Sequence, residues 1–206
     1  MRQRHFIDTH KVATGPVVIG MMAWHSCWDS PIAWIYLALH GTYGLLWTLQ
    51  SRTFPDKSWE ESCSMAYGLL IWLGLSLYWI APWIVTSNRL VAAPWHLAAC
   101  TALWGLGVFL HFASDMHKNI ALQLCPGQLV QTGLWARCRN PNYLGELFIY
   151  LGMGLLAMHW LPVAAIALFA ATVWLPNMLK KDRSLARYPE FEAYRARSWL
   201  FLPPLI

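Results

Sequence analysis

The stretch MAYGLLIWLGLSLYWIAPWIV, residues 65–85, contains no charged side chain. A helix of about 20 mostly apolar residues spans the hydrocarbon core of a bilayer. Inside lipid such a helix satisfies its backbone polar groups within itself. Working outward from this segment, five others read the same way: 12–28, 31–50, 94–113, 144–158 and 160–176. Gly15-Pro16 interrupts the first of them. The last two are short and share a turn around 159–162, which predicts a tight hairpin. The expectation is an all-α, polytopic transmembrane bundle of about six spans.

Composition supports lipid as the solvent. Of 206 residues, 57% are hydrophobic and 12% charged, where a soluble domain carries about 25% charged. Disorder is excluded, since disordered chains are poor in apolar and aromatic residues. The 5 cysteines are scattered and never spaced CxxC, which argues against a disulfide scaffold. No cleavable leader follows from the polar first eleven residues. Several of the 14 tryptophans fall near span ends (Trp28, Trp59, Trp95, Trp160), where indoles anchor at headgroup level. Trp72, Trp79, Trp83 and Trp104 fall inside spans, where lipid contact or core packing is expected.

With six spans, both termini and the loops 51–64 and 114–143 share one side. Every one of the 15 lysines and arginines except Arg89 then lies on that side. The positive-inside rule makes it cytoplasmic. Topology thus accounts for the net charge of +5, and no nucleic-acid partner is implied. The bilayer and a lipophilic small molecule are the expected partners.

Polar groups concentrate in two blocks. The first holds His111, Asp115 and Lys118, then Trp135, Arg137, Arg139, Asn140, Pro141, Asn142, Tyr143 and Glu146. On a helix continued past the membrane surface, His111, Asp115 and Lys118 share a face at i, i+4 and i+7. There Asp115 suits hydroxyl groups and Lys118 suits an anion. Pro141 biases Asn140 away from helical geometry, and Asn142 is read as a helix N-cap. A helix start beside Arg137 and Arg139 suits a phosphate or carboxylate. Glu146, at this depth, is read as facing a cavity. The second block, 177–197, reads as an amphipathic surface helix with Leu179, Tyr188, Phe191 and Tyr194 down. Alternatively, Lys181, Asp182, Arg183 and Tyr194 close over a ligand held by the first block. No metal-ligand spacing, nucleophile elbow or phosphate loop occurs. Gly105, Gly107, Gly152 and Gly154 read as helix-packing glycines.

These blocks carry a resemblance covering residues 108–206. "SDMHKN" resembles the Asp-x-x-Lys segment of the steroid 5-alpha reductase and sterol reductase families. "GLWARCRNPNYLGE" and "DRSLARYPEFEAY…FLP" resemble their cofactor-loop signature and closing segment. The resemblance implies an NADPH pocket lined by Asp115, Lys118, Trp135, Arg139, Asn142, Tyr143, Glu146, Asp182, Arg183 and Tyr194. It further implies a C-terminal half, 114–206, that holds the cofactor, and N-terminal spans within 12–113 that hold the substrate. The implied reaction is NADPH-dependent reduction of a C=C bond in a sterol- or isoprenoid-like molecule. Isoprenylcysteine carboxyl methyltransferases are similar over the same blocks, and Leu185, Tyr188, Pro189, Phe191 and Tyr194 fit them equally. For that alternative the cofactor is S-adenosylmethionine. Asp115, Lys118 and Glu146 favour the reductase, whereas Ile120-Ala-Leu122 and Asn140 depart from its pattern. The catalytic acid is not named by the sequence; Tyr43, Tyr67, Tyr78 and His111 are its candidates.

Overall fold

The computed structural model describes residues 1–202, so Pro203 of the C-terminal block lies outside the described residues. Among the described residues nine α-helices follow one another: α1 (Gln3–Trp24), α2 (Pro31–Thr53), α3 (Met65–Ser76), α4 (Ile80–Ser87), α5 (Pro94–Leu124), α6 (Pro141–Leu155), α7 (Trp160–Phe169), α8 (Leu175–Leu185) and α9 (Phe191–Arg197). The described residues form no strand, only the isolated bridges Arg2–Ser62 and Cys138–Trp199.

Local chemistry sets the helix starts. Ser30 Oγ accepts from the Ala33 amide at 3.4 Å, and Pro31 follows at the first helical position. Ser64 Oγ accepts from Tyr67 N–H at 3.2 Å. Such caps satisfy amides that the helix leaves open, and a first-turn proline has no amide to lose. Pro94 and Pro141 open α5 and α6 in the same manner. Gly15-Pro16 does not interrupt α1, which runs through Pro16 unbroken. The missing amide costs one internal bond, a loss that membrane helices tolerate.

Four stretches are long and apolar enough to cross a membrane: Pro31–Thr53, Met65–Ser87, Pro94–Leu124 and Trp160–Leu185. The third extends well beyond the 94–113 segment read from hydropathy. α1 carries Arg4, Asp8 and Lys11 in its first half, and α6 has 15 residues. Side-chain placement is inverted relative to a water-soluble core. Leu70 and Leu73 are each 63% exposed and Phe109 is 61% exposed, whereas Lys11 is 2% and His40 1% exposed. Broad apolar exposure around buried polar groups is what a lipid solvent permits. The chain reads as a multi-pass membrane protein.

The chain divides into two compact units, one of 1–104 with 150–165 and one of 105–149 with 166–206. In the first, α1 packs on α2, α3 and α4. Gly44 permits close crossing, since a Cβ there would lie 2.6 Å from the Lys11 carbonyl oxygen. Arg4 pairs with Glu60 at 2.7 Å and Arg2 pairs with the same carboxylate. Gly152 lies against the Cys100 carbonyl, where a Cβ would approach to 2.7 Å.

In the second unit, the α5 portion meets the α6 portion at Gly107 and Gly145. A Cβ on Gly107 would lie 2.7 Å from the Gly145 carbonyl oxygen, and one on Gly145 would strike the His111 amide. Gly107 and Gly152 thus serve as close-packing positions. Gly105 has open space around it. The second polar block is two helices rather than one, α8 and α9, broken at Tyr188-Pro189. Within it Phe191 and Tyr194 are buried, while Leu179 is 43% exposed.

Candidate functional site: a polar cluster of the C-terminal half

Every residue assigned to the cofactor pocket lies in the second unit. α5 continues to Leu124, which puts His111, Asp115 and Lys118 on one helix face. Lys118 Nζ lies 3.5 Å from Asp115 Oδ1, and His111 Nε2 lies 4.0 Å from Asp115 Oδ2. His111 Nδ1 faces the Asn142 carbonyl oxygen at 3.2 Å and ties α5 to the start of α6.

The segment between α5 and α6 makes a 3-10 turn at Gly133–Trp135. Gly133 has φ +56°, a left-handed conformation suited to glycine, and the turn sends Trp135 inward. Trp135 is buried, and its indole N–H donates to the Ser114 carbonyl at 3.1 Å. Lys181 Nζ stands 4.3 Å over its ring. The same ammonium donates to the Arg139 carbonyl at 2.7 Å and to Asn140 Oδ1 at 3.0 Å. Tyr194 of α9 donates its hydroxyl proton to the Trp135 carbonyl at 2.6 Å. Burial pushes the Tyr194 phenol up to about 12, against the opposing pull of Arg139, so this donor persists across the physiological range.

Arg139 is turned inward. Its Nε lies 3.2 and 3.1 Å from the two carboxylate oxygens of Asp182, and its Nη2 lies 3.0 Å from Oδ2. Nη1 donates to Ser198 Oγ at 3.1 Å and to the Ser198 carbonyl. A guanidinium has five N–H donors in a fixed fork, and here the fork serves α8 and the C-terminal strap. That strap runs beside 137–140: Arg139 N–H donates to the Trp199 carbonyl at 2.8 Å and Trp199 N–H to the Arg137 carbonyl at 2.9 Å. Asn140 Nδ2 adds a bond to the Leu200 carbonyl at 2.8 Å.

The expected placement needs three corrections. α6 begins at Pro141, so Asn142 lies in the first turn rather than at the N-cap. Its Oδ1 is buried without a partner among the described residues. Arg139, read as a cation beside the helix start, faces Asp182 instead. Arg183 is exposed on α8, on a different side from Lys181 and Asp182. Tyr143 and Glu146 lie half-buried on α6, and the Tyr143 ring lies 5.9 Å from that of Trp174. Trp174 closes a π-helical turn, Ala170–Trp174, between α7 and α8.

The structure therefore brings together Asp115, Lys118, Trp135, Arg139, Asp182 and Tyr194. Ser114, Asn140 and Ser198 join them and were missed. Asn140 carried a signal, as a departure from the reductase pattern; Ser114 and Ser198 carried none. Among the described residues no three metal-ligating side chains gather.

A family model described as "protein of unknown function (DUF1295)" matches residues 70–198. The chain belongs to the DUF1295 family. That family includes steroid 5-alpha reductase-like proteins. The match takes in the whole polar cluster from Asp115 to Ser198. The chain is also similar to the cobalt-zinc-cadmium resistance protein CzcN of Cupriavidus metallidurans, with 29% identity over 143 residues. That alignment covers 69% of this chain and 58% of CzcN. No solved structure matches the chain.

Proposed function

We propose that this DUF1295 protein is a membrane-embedded reductase that uses NADPH to saturate a C=C bond in a lipid-soluble substrate. The carrying observation is the assembly of the two polar blocks into one cluster around Trp135. NADPH bears a pyrophosphate and a 2′-phosphate, and the cluster with its rim offers Lys118 and Arg183 as cations, while burial lowers Lys181 to about 7. Lys118 is the accessible member of the Asp115 pair, with its side chain 24% exposed. Asp115 suits ribose hydroxyls. The unpartnered Asn142 Oδ1 is a buried acceptor aimed at a ligand donor, a hydroxyl or carboxamide N–H. Arg139 enters this reading as the clamp that fixes Asp182 and the strap, rather than as the principal anion ligand. The bound cofactor would supply a hydride; Trp135, Tyr194 and the strap would orient it and exclude water.

We place six spans in the bilayer, adding α1 and α6 to the four apolar stretches, with both termini cytoplasmic. The asymmetry of Lys and Arg supports this orientation. Sidedness is tested with single-cysteine variants in sealed vesicles. Cys125 is exposed, whereas Cys138 is buried with its thiol pushed up by burial and donating to the Phe201 carbonyl at 3.0 Å. An impermeant maleimide should label Cys125 from the cytoplasmic face alone, and Cys138 from neither face until the protein is denatured. Labelling of Cys125 from outside reverses the topology.

The methyltransferase reading retains one observation of its own. Lys181 Nζ already lies over the face of Trp135, and a sulfonium there would be attracted by the ring quadrupole. Titration of purified protein with NADPH, NADH and S-adenosylmethionine separates the readings. A specific ligand at 100 times its Kd stabilises by about 2.7 kcal/mol, a readable melting shift accompanied by a change in Trp135 emission. NADPH should stabilise and NADH much less. Stabilisation by S-adenosylmethionine alone replaces the reductase with the methyltransferase.

A further inference from the structure

α8 has two unlike sides. Met178 is buried, and Lys181 and Asp182 bond to the segment 135–140, so these residues mark the inner side. At about 3.6 residues per turn, Pro176, Lys180, Arg183 and Ser184 fall on the opposite side. All four are exposed, and so is Arg187, just beyond the end of the helix. Arg187 Nη1 donates to Ser184 Oγ at 3.1 Å and Nη2 to the Tyr188 hydroxyl at 3.2 Å. These bonds hold the guanidinium on the outer side.

Lys180, Arg183 and Arg187 thus line the outer side of α8, and no carboxylate pairs with them among the described residues. Other cations of the chain are matched: Arg2 and Arg4 share Glu60, Lys118 lies beside Asp115, and Arg139 lies beside Asp182. Lys180 and Arg187 keep donors to spare. A guanidinium has five N–H groups, of which Arg187 uses two. Ser184 accepts from Arg187 and keeps its own proton to donate. Lys180 and Ser184 are neighbours one helical turn apart, so ammonium, hydroxyl and guanidinium together form a patch suited to a phosphate.

The place of this patch along the chain names its occupant. Trp160–Leu185 is long and apolar enough to cross a membrane, and Leu168, Leu175 and Leu179 are exposed just before the cations. Apolar contact passes directly into basic contact, in the order in which a phospholipid presents its tail and its phosphate. Unmatched positive charge favours an anionic headgroup over a zwitterionic one.

We propose that Lys180, Ser184 and Arg187 bind the headgroup of an anionic phospholipid, and that this contact helps to hold α8 over the polar cluster. The helix is then fixed from both sides, by Trp135 and Arg139 within and by lipid without. This holds whichever cofactor the cluster takes. Arg183 shares the outer side but is left out of the test, because the reductase reading gives it to the cofactor.

The test uses the full-length protein in nanodiscs of phosphatidylcholine, alone or mixed with phosphatidylglycerol, and follows amide hydrogen exchange over 180–198. A basic residue at an anionic surface strengthens association about five-fold, so phosphatidylglycerol should slow this exchange by about ten-fold or more. The Lys180→Gln, Arg187→Gln variant should melt like the wild type in phosphatidylcholine and lose the protection. The Arg52→Gln, Lys57→Gln control removes two exposed cations of another loop and should keep it. Equal exchange in both discs, protection that survives in the first variant, or protection lost in the control overturns the proposal. Equal protection by inorganic phosphate in phosphatidylcholine discs also overturns it, since the patch would then serve free anions rather than lipid.

Discussion

Arg139→Leu should destabilise the protein by about 3–5 kcal/mol, the usual cost of removing one partner from a buried ion pair. The guanidinium side chain is 7% exposed and the Asp182 side chain 15%, so water cannot take over the lost partner. Leucine would leave the Asp182 carboxylate without its fork and the Ser198 oxygens without their donor. The loss should fall largely on the docking of α8 and the strap. Proteolysis near 186–202 should accelerate before the membrane helices melt. Arg139→Lys should recover only part, because a single ammonium cannot reproduce a two-pronged contact. The Arg139→Leu, Asp182→Leu double variant should be less damaged than the sum of the singles, since neither charge is then stranded. An arginine serving only a cofactor anion would behave differently: the variant would retain wild-type melting and lose binding alone. A shift below about 1 kcal/mol would support that simpler role.

Trp135→Ala should be comparably severe, about 3–5 kcal/mol, the range for deleting a large buried aromatic. The indole is 3% exposed. It contributes the N–H bond to Ser114 and the ring face beneath Lys181. Alanine would remove all of these and leave a void between α5, α8 and α9. Trp135→Phe keeps an aromatic face and loses the N–H bond, so its cost should be nearer 1–2 kcal/mol. Chemical unfolding of the three proteins in one detergent checks the order. An alanine variant as stable as the phenylalanine variant would mean that the turn at 133–135 is dispensable to the cluster.

The helical class and the two polar blocks were legible because long apolar runs and clustered charges are local signals. The strength of 65–85 as a span depends on nothing beyond its own residues. The three-residue spacing of Asp115 and Lys118 likewise makes them helix neighbours wherever α5 lies. What the sequence did not disclose depends on partners distant along the chain. The orientation of Arg139 follows from Asp182 and Ser198, which are 43 and 59 positions away. Hydropathy placed the fourth span at 94–113, but Asp115, His117 and Lys118 do not stop a helix; they only change its solvent. The burial of Lys11 against the Tyr150 hydroxyl was not legible either, because nothing near Lys11 in the sequence announces a partner 139 positions away. Gly15-Pro16 was overweighted as a breaker, since lipid offers an opened backbone no alternative partner.

The π-helical turn at Ala170–Trp174 acts as an inserted letter in an otherwise regular text. Such a turn commonly holds one residue more than an α-helix needs. Were the same five residues to wind as a regular α-helix, all that follows would rotate by about 100° about the helix axis. Lys181 would swing off the Trp135 face and Asp182 away from Arg139, with no change in the composition of α8. Deleting one residue would cancel that rotation, because the wider turn takes up one residue more than an α-helical turn does. The wide turn at 170–174 therefore sets the angular register of the whole roof.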